Sequence, residues 1–209
     1  VGSEMCIRDS FDTYWSVPYG SATAREGKWI EGPSYHFLDS VYKQLPKLNM
    51  IVEDLGELRP QVHELRDHYD LLGMKVMQFS FGEDERKVKY KIPQHCVVYT
   101  GTHDNETIVG WWKSITAAER KLARDYLCDH ATPEEELYKC FISLIMRSAA
   151  RVCVIPMQDY MGLDNRFRMN KPSTVGMNWK WRIKKRDLTK KLQKEIYDVT
   201  LRYGRKNWD

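Results

Sequence analysis

Four short apolar runs recur along this chain, and polar residues follow most of them at the carboxyl end. The runs span residues 50–52, 74–81, 96–99 and 151–156. Such runs predict buried strands, and helical patterns lie between them. Strands that alternate with helices form parallel sheets with right-handed crossovers. The sequence therefore predicts an α/β fold with about four parallel strands, which is half of a (β/α)8 TIM barrel, with an open α/β sheet as the alternative.

Helix signals fill the segments between these runs. Ser34 is a predicted N-cap, and Pro60 suits the first turn of a helix. Thr116 and Thr132 each begin a capping-box pattern, with a glutamate three residues later. The segment 11–33 is rich in aromatic residues, Gly and Pro, which predicts a long loop. The predicted helices span residues 34–45, 60–71, 116–127 and 132–150.

Composition limits the class of partner. The chain is 42% hydrophobic and 30% charged, which is enough apolar material for one sizeable core and is not typical of a disordered chain. The net charge of +4 comes mainly from a basic stretch at 180–194. Because the later lysines of this stretch alternate with apolar residues at helical spacing, they predict the solvated side of a helix and disfavour nucleic acid as a partner. No apolar run is long enough to span a membrane.

The cysteines and histidines show no disulfide or metal pattern. None of the five cysteines forms a Cys-x-x-Cys pair, which indicates reduced thiols in a cytoplasmic setting. His63 and His68 are five residues apart and do not share a helix face. No Gly-rich phosphate loop follows any strand, and no motif requires a metal or an organic cofactor.

Carboxylates follow two of the predicted strands. Glu53 and Asp54 come after the first strand, and His103 and Asp104 come after the third. The carboxyl ends of parallel strands meet at one edge of a sheet or barrel, where enzymes of this class place their chemistry. A partly desolvated carboxyl group beside a second acid suits general-acid catalysis. The alternative is that these acids only cap turns and helices.

Several blocks of sequence occur in an order and spacing that a known family shares. They are residues 14–18 (YWSVP), 27–33 (GKWIEGP), 51–56 (IVEDLG), 73–79 (GMKVMQF), 99–105 (YTGTHDN) and 178–182 (NWKWR). Together they resemble the C-terminal half of the 4-α-glucanotransferases of glycoside hydrolase family 77, also called amylomaltases or disproportionating enzymes. The resemblance runs from about residue 11 to near the end of the chain.

This resemblance implies a retaining reaction on α-1,4-glucans such as maltodextrins, within the barrel of the α-amylase clan. It implies that Glu53 is the general acid/base and that Asp104 stabilises the transition state. It also implies that His103, Asp54 and Asn170 bind sugar hydroxyls. A protonated glutamic acid with an ionised carboxylate nearby is the pair that glycosidic bond cleavage needs.

The N-terminal segment departs from the family pattern. The resemblance places a nucleophilic aspartate eight residues before Tyr14, where this chain has Cys6, and Asp9 is three positions out of register. We therefore expect residues 1–10 to be a non-native segment and residues 11–209 to be the C-terminal part of the catalytic barrel. An α-glucan hydrolase or branching enzyme of the same clan and a non-catalytic glucan-binding remnant are the alternatives.

Because position 6 lacks a carboxylate, we predict that this chain has no glucanotransferase activity by itself. A retaining enzyme needs a nucleophilic carboxylate about 5–5.5 Å from its acid/base. Incubation of the chain with maltotriose should release no glucose beyond a reaction without enzyme. Release above that background would contradict the prediction.

Overall fold

The computed structural model describes residues 11–56, 58–82 and 92–206. The chain divides into two compact units, Val1–Met74 and Lys75–Asp209. The predicted non-native segment 1–10 lies outside the described residues. It includes Cys6, at the position of the family's nucleophile, and Asp9, the acid three positions away.

The first unit begins with a β-hairpin. Strands β1 (Thr13–Ser16) and β2 (Lys28–Glu31) pair antiparallel, with Trp15 directly opposite Trp29. The two indole rings meet edge to face with centroids 5.2 Å apart, a cross-strand aromatic pair that stabilises antiparallel strands. The predicted loop over 11–33 is therefore wrong at both of its ends. Its local composition favoured a loop, whereas the register of the two strands puts the aromatic residues in contact.

Two helices follow the hairpin. Helix α1 (Ser34–Gln44) has Pro33 as its N-cap, so Ser34 is the first helical residue rather than the predicted cap. Helix α2 (Pro60–His68) begins at Pro60 as predicted, because the missing N–H of proline costs nothing in the first turn.

The core of the first unit is small. Leu38, Leu65 and Leu71 are buried together. The predicted strand at 50–52 forms only one isolated parallel bridge, between Ile51 and Leu72. Few backbone hydrogen bonds therefore hold the segment that carries Glu53. Its side chains must supply the other contacts that keep it in place.

The described residues form a three-stranded sheet. Its order is β3-β4-β5, with β3 at Gly73–Val76, β4 at Cys96–Tyr99 and β5 at Val152–Val154. Strands β4 and β5 are parallel, with Val98 opposite Cys153. The prediction of an α/β fold with parallel strands is confirmed to this extent. The predicted strand over 74–81 is shorter, because the chain turns into a 3-10 helix at Met77–Phe81.

Helices surround this sheet. The Thr116 capping box is confirmed: its hydroxyl accepts from the Glu119 N–H, and the Glu119 carboxylate accepts from the Thr116 N–H at 2.7 Å. The Thr132 capping box is wrong, because the Thr132 hydroxyl donates to Asp129 at 2.5 Å instead. In the described part of the second unit, the α-helices are α3 (Ile108–Ser114), α4 (Ala117–Leu127), α5 (Leu137–Met146), α6 (Met157–Tyr160) and α7 (Lys190–Arg202). Further short 3-10 helices among the described residues are Ala24–Glu26, Asn165–Phe167 and Lys185–Asp187.

Helix α7 has the solvated basic side that its sequence predicts. Thr189 caps it by accepting from the Leu192 N–H at 3.1 Å. Leu192 is buried, and the lysines at 190, 191 and 194 are exposed. In the described ranges, none of the helices has both the length and the apolar character needed to cross a bilayer.

Aromatic rings fill the core of the second unit. Phe141 on α5 is fully buried, and its ring lies 5.2 Å from Trp111 and 5.9 Å from Phe81, both close to edge to face. Rings in such contacts stabilise a core beyond the area that they bury. Phe141 thus joins α3, α5 and the 3-10 helix after β3.

We predict that Phe141→Ala lowers the free energy of unfolding by about 3–5 kcal/mol, because it removes a buried ring and leaves a cavity. Urea unfolding followed by tryptophan fluorescence measures this change. Leu188→Ala is the control, since Leu188 is 43% exposed, and it should change stability by less than about 0.5 kcal/mol. Equal effects of the two substitutions would contradict the prediction.

Candidate active site

The loop after β4 carries the polar residues that the sequence singles out. The Thr102 N–H and hydroxyl both bond to Asn105 Oδ1 at 2.8 Å, which closes the loop into a tight turn. Gly101 leaves room for this turn, because a Cβ there would lie 2.7 Å from Gln78 Nε2. Gln78 in turn donates to the Glu106 carbonyl at 2.7 Å. Hydrogen bonds therefore fix the turn internally through Asn105 and at its end through Glu106. The tight packing at Gly101 limits the start of the turn to glycine.

Asp104 lies on this turn and is held by residues far along the chain. Its Oδ1 accepts from Asn170 Nδ2 at 2.6 Å, and its backbone carbonyl accepts from Arg168 Nη2 at 2.8 Å. His103 Nε2 is 3.3 Å from the same Oδ1. The side chain of Asp104 remains 24% exposed. The carboxylate is thus oriented by protein groups and still open to a ligand.

The structure brings together three of the predicted site residues. The Asn170 N–H donates to the His103 carbonyl at 3.1 Å, so its backbone and its side chain both contact the His103-Asp104 pair. Asn170 lies 66 residues after Asp104, and no local pattern predicts that contact. Their proximity arises because the segment after α6 folds back over the β4 loop.

Trp179 is a neighbour of this cluster to which sequence reasoning assigned no role. Its ring centroid is 4.9 Å from that of His103, and 49% of the residue is exposed. Its φ of 62° is in the left-handed region, which non-glycine residues rarely adopt. The Trp179 N–H donates to the Met169 carbonyl at 2.6 Å. The available signal was the matching block at 178–182, which contains two tryptophans.

A buried carboxylate supports the β4 loop. Asp159 accepts from the Thr100 hydroxyl at 2.5 Å and from the Ile108 N–H at 2.8 Å. Thr100 directly follows β4, and Ile108 begins α3. Burial raises the pKa of Asp159 to about 6, and the bonds from Thr100 and Ile108 offset part of that rise. One side chain therefore ties together both ends of the segment that carries His103 and Asp104.

In the first unit, Asp54 is also a buried carboxylate, and it directly follows Glu53 in the chain. Its side chain is 1% exposed, and Oδ2 accepts from Arg66 Nη1 at 2.7 Å. Oδ1 accepts from the Met74 N–H at 2.6 Å. A Cβ on Gly73 would lie 2.5 Å from Oδ2, so only glycine fits beneath this carboxylate. Asp54 thus anchors its segment to α2 and to β3.

Glu53 is half-buried and follows the single bridge at Ile51. Glu53 and Asp54 belong to one unit, and His103, Asp104 and Asn170 belong to the other. The roles assigned to all five, including sugar binding by Asp54, stay predictions. Within the described part of the chain, no group of three or more His, Cys, Asp or Glu side chains is arranged to hold a metal ion.

We predict a distinct pH dependence of stability for Asp159→Asn. An unfolded aspartate has a pKa of about 3.9, so between about pH 4 and pH 6 the folded parent binds more protons than the unfolded parent. Its stability therefore falls as the pH rises through this window. The asparagine variant lacks this loss, so from pH 4 to pH 7 it should gain about 1–3 kcal/mol relative to the parent.

Urea unfolding at a series of pH values measures the difference. Asp198→Asn on α7 is the control, because Asp198 forms an exposed i,i+4 ion pair with Lys194, and the loss of such a pair changes stability by only about 0.3–0.5 kcal/mol. Parallel curves for Asp159→Asn and the parent would show that Asp159 is ionised normally.

The sequence profile of the 4-alpha-glucanotransferase family matches residues 9–189. A 4-alpha-glucanotransferase of Streptococcus pneumoniae is 36% identical over 200 residues, which cover 94% of this chain and 39% of the relative. That of Clostridium butyricum is 38% identical over 198 residues, which cover 93% of this chain and 40% of the relative. This chain thus spans about two fifths of the length of these curated relatives.

The fold is similar to that of solved amylomaltases. The amylomaltase from Streptococcus agalactiae, solved in complex with acarbose, superposes with a TM-score of 0.87 and 29% identity over 94% of this chain and 40% of that protein. The amylomaltase from Corynebacterium glutamicum shares the fold with a TM-score of 0.57 and 14% identity over 81% of this chain and 30% of that protein. Because the profile of this family matches residues 9–189, which is more than half of the chain, the chain belongs to the 4-alpha-glucanotransferase family.

Proposed function

We propose that this chain supplies part of an active site that transfers segments of α-1,4-glucan to glucose or maltodextrin acceptors. The observation that carries the proposal is the Asp104 carboxylate, which Asn170 orients at 2.6 Å beside His103 at the end of a parallel strand. A strand end that presents an accessible carboxylate with polar neighbours suits stabilisation of positive charge on a sugar ring.

Asp104 acts on the charge that develops at the anomeric carbon. As the glycosidic bond breaks, the sugar becomes oxocarbenium-like, and a nearby ionised carboxylate lowers the energy of that state. The bonds from Asn170 and Arg168 fix the position of Asp104 before substrate arrives. A group that is already oriented needs no reorganisation during the reaction.

Glu53 donates a proton to the leaving oxygen and then removes one from the acceptor hydroxyl. The same residue can do both because the two half-reactions are the reverse of each other. Asp54 supports this role by anchoring the Glu53 segment to the Met74 N–H and to Arg66. Transfer exceeds hydrolysis when the acceptor sugar is bound well enough to outcompete water.

Sugar hydroxyls are the proposed ligands of His103, Asn170 and Asp54. His103 keeps 33% of its side chain exposed, so it can reach a ligand directly. The two oxygens of Asp54 already have protein partners, so a sugar hydroxyl would have to share one of them. The Streptococcus agalactiae amylomaltase binds acarbose, and we propose the same class of ligand for this chain.

We further propose that residues 11–209 form the C-terminal part of a (β/α)8 barrel, with residues 1–10 outside it. The parallel pair β4-β5 and the likeness to an amylomaltase over 40% of its length support this. The four cysteines in the described ranges carry thiols rather than disulfides, which suits a reducing, cytoplasmic setting. The family pattern has the nucleophilic aspartate at the position where this chain has Cys6. An active enzyme therefore needs a barrel segment with an aspartate at that position.

A rejoined enzyme tests the proposal. Residues 11–209 are fused to the preceding part of the Streptococcus agalactiae amylomaltase, which supplies the upstream strands, and the product is incubated with maltotriose. We expect glucose together with a ladder of longer maltodextrins. Glu53→Gln should reduce turnover by about 10²–10⁴-fold, since it removes the acid/base, and Asp104→Asn should reduce it strongly as well.

Glu64→Gln is the matched control, because Glu64 is an exposed carboxylate on α2, and it should leave turnover unchanged. Full activity of the Glu53→Gln enzyme would refute the assigned role. Shortened products without longer ones would indicate a hydrolase. A folded fusion that binds maltotriose without turnover would favour the non-catalytic remnant, for which the cysteine at position 6 is the supporting observation.

A further inference from the structure

The second unit contains a cavity of about 440 Å³ that the proposed reaction does not use. The first residues of α3, the start of α5 and the turn after α6 line it. Asp104, His103 and Asn170 are not among its lining residues. Its volume lies within the usual range of small-molecule sites, about 300–1,000 Å³.

Aromatic side chains form much of the wall of this cavity. Trp112, Tyr138, Phe141 and Phe167 all contribute. Gly162 has a φ of +61°, and a Cβ there would lie 2.8 Å from Tyr138 Cε1. Glycine therefore lets the main chain lie directly against the Tyr138 ring and keeps that ring in the wall. Trp112 and Phe141 are buried, whereas Tyr138 and Phe167 are partly exposed. Partly exposed flat rings suit the C–H faces of a ligand that is polar at its edges.

Charged residues of both signs surround the cavity. Asp164 and Arg166 form an ion pair at 3.0 Å, and Lys113, Glu134 and Glu135 complete the charged lining. Because acids and bases are mixed, the site does not favour a strongly charged ligand. Glu134 and Glu135 are exposed, and their carboxylates can accept hydrogen bonds from hydroxyl groups.

Trp112 places a buried indole N–H in the wall region of the cavity. The residue is 5% exposed, and its indole N–H is buried without a partner among the described residues. The guanidinium groups of Arg120 and Arg124 lie 5.7 and 5.5 Å from its ring centroid. Buried donors in native proteins nearly always have an acceptor. Trp112 is therefore a buried part of the cavity wall, and its indole N–H reports on changes in that wall.

We propose that this cavity is a second glucan-binding site, which holds glucose units of an α-1,4-glucan apart from the site of transfer. A neutral polyhydroxyl ligand matches the partly exposed aromatic rings and the carboxylate acceptors together. The choice of α-1,4-glucan rests on the proposed function. A chain held here stays at high local concentration near the enzyme, which strengthens binding of long substrates without a change in chemistry.

Titration of the ¹⁵N-labelled 209-residue chain with maltotriose tests the proposal. The indole N–H resonance of Trp112, assigned through Trp112→Phe, should shift and saturate. The double variant Glu134→Ala/Glu135→Ala should raise the Kd read from this resonance by about tenfold, as expected when charged acceptors are lost. Glu136→Ala is the matched control, since the neighbouring Glu136 does not line the cavity, and its Kd should equal that of the parent.

Asp104→Asn separates this site from the transfer site and should leave the Trp112 titration unchanged. The absence of a saturable Trp112 shift, or a shift that only Asp104→Asn removes, would overturn the second site. Turnover by the rejoined enzyme is a separate test of the proposed function. A fusion that transfers glucan while Trp112 does not respond would therefore overturn this inference and leave the proposed function standing.

Discussion

The buried carboxylate of Asp159 is the interaction on which the candidate active site most depends. It accepts from the Thr100 hydroxyl and the Ile108 N–H, and so it joins the end of β4 to the start of α3. Between these two points lies the turn that carries His103 and Asp104. Burial of a carboxylate costs free energy, as the raised pKa of Asp159 shows. The cost is offset because hydrogen bonds satisfy both carboxylate oxygens and fix both ends of the turn.

The same arrangement occurs in the first unit. There, Asp54 is buried and accepts from a backbone N–H and from Arg66, whereas its neighbour Glu53 is half-buried. In each unit a buried aspartate holds a strand end, and a more accessible carboxylate beside that strand end is the candidate for chemistry. This division has a physical basis. A carboxylate whose oxygens are occupied by the protein can position a loop, whereas one that acts on a substrate must keep an open side.

Sequence patterns predicted the structure well where the signals are local. The Thr116 capping box, Pro60 at a helix start and the buried β4 run depend on neighbours within a few residues, and the structure confirms them. Sequence patterns failed where contacts between distant residues determine the local structure. The hairpin at 13–31 depends on a strand register that no single segment specifies. Thr132 has the pattern of a cap, yet Asp129 takes its hydroxyl because that acceptor closes the preceding turn.

The sequence by itself determined the family and the identity of the candidate residues, because the order and spacing of short motifs are properties of the sequence alone. It also determined the basic solvated side of α7, since helical periodicity is a local property. Only the tertiary structure decided which side chains meet. The Asn170 bond to Asp104, the Trp179 contact with His103 and the anchoring role of Asp159 each link residues far apart in the chain. Such contacts arise from the folding back of whole segments, and periodicity and propensity carry no information about them.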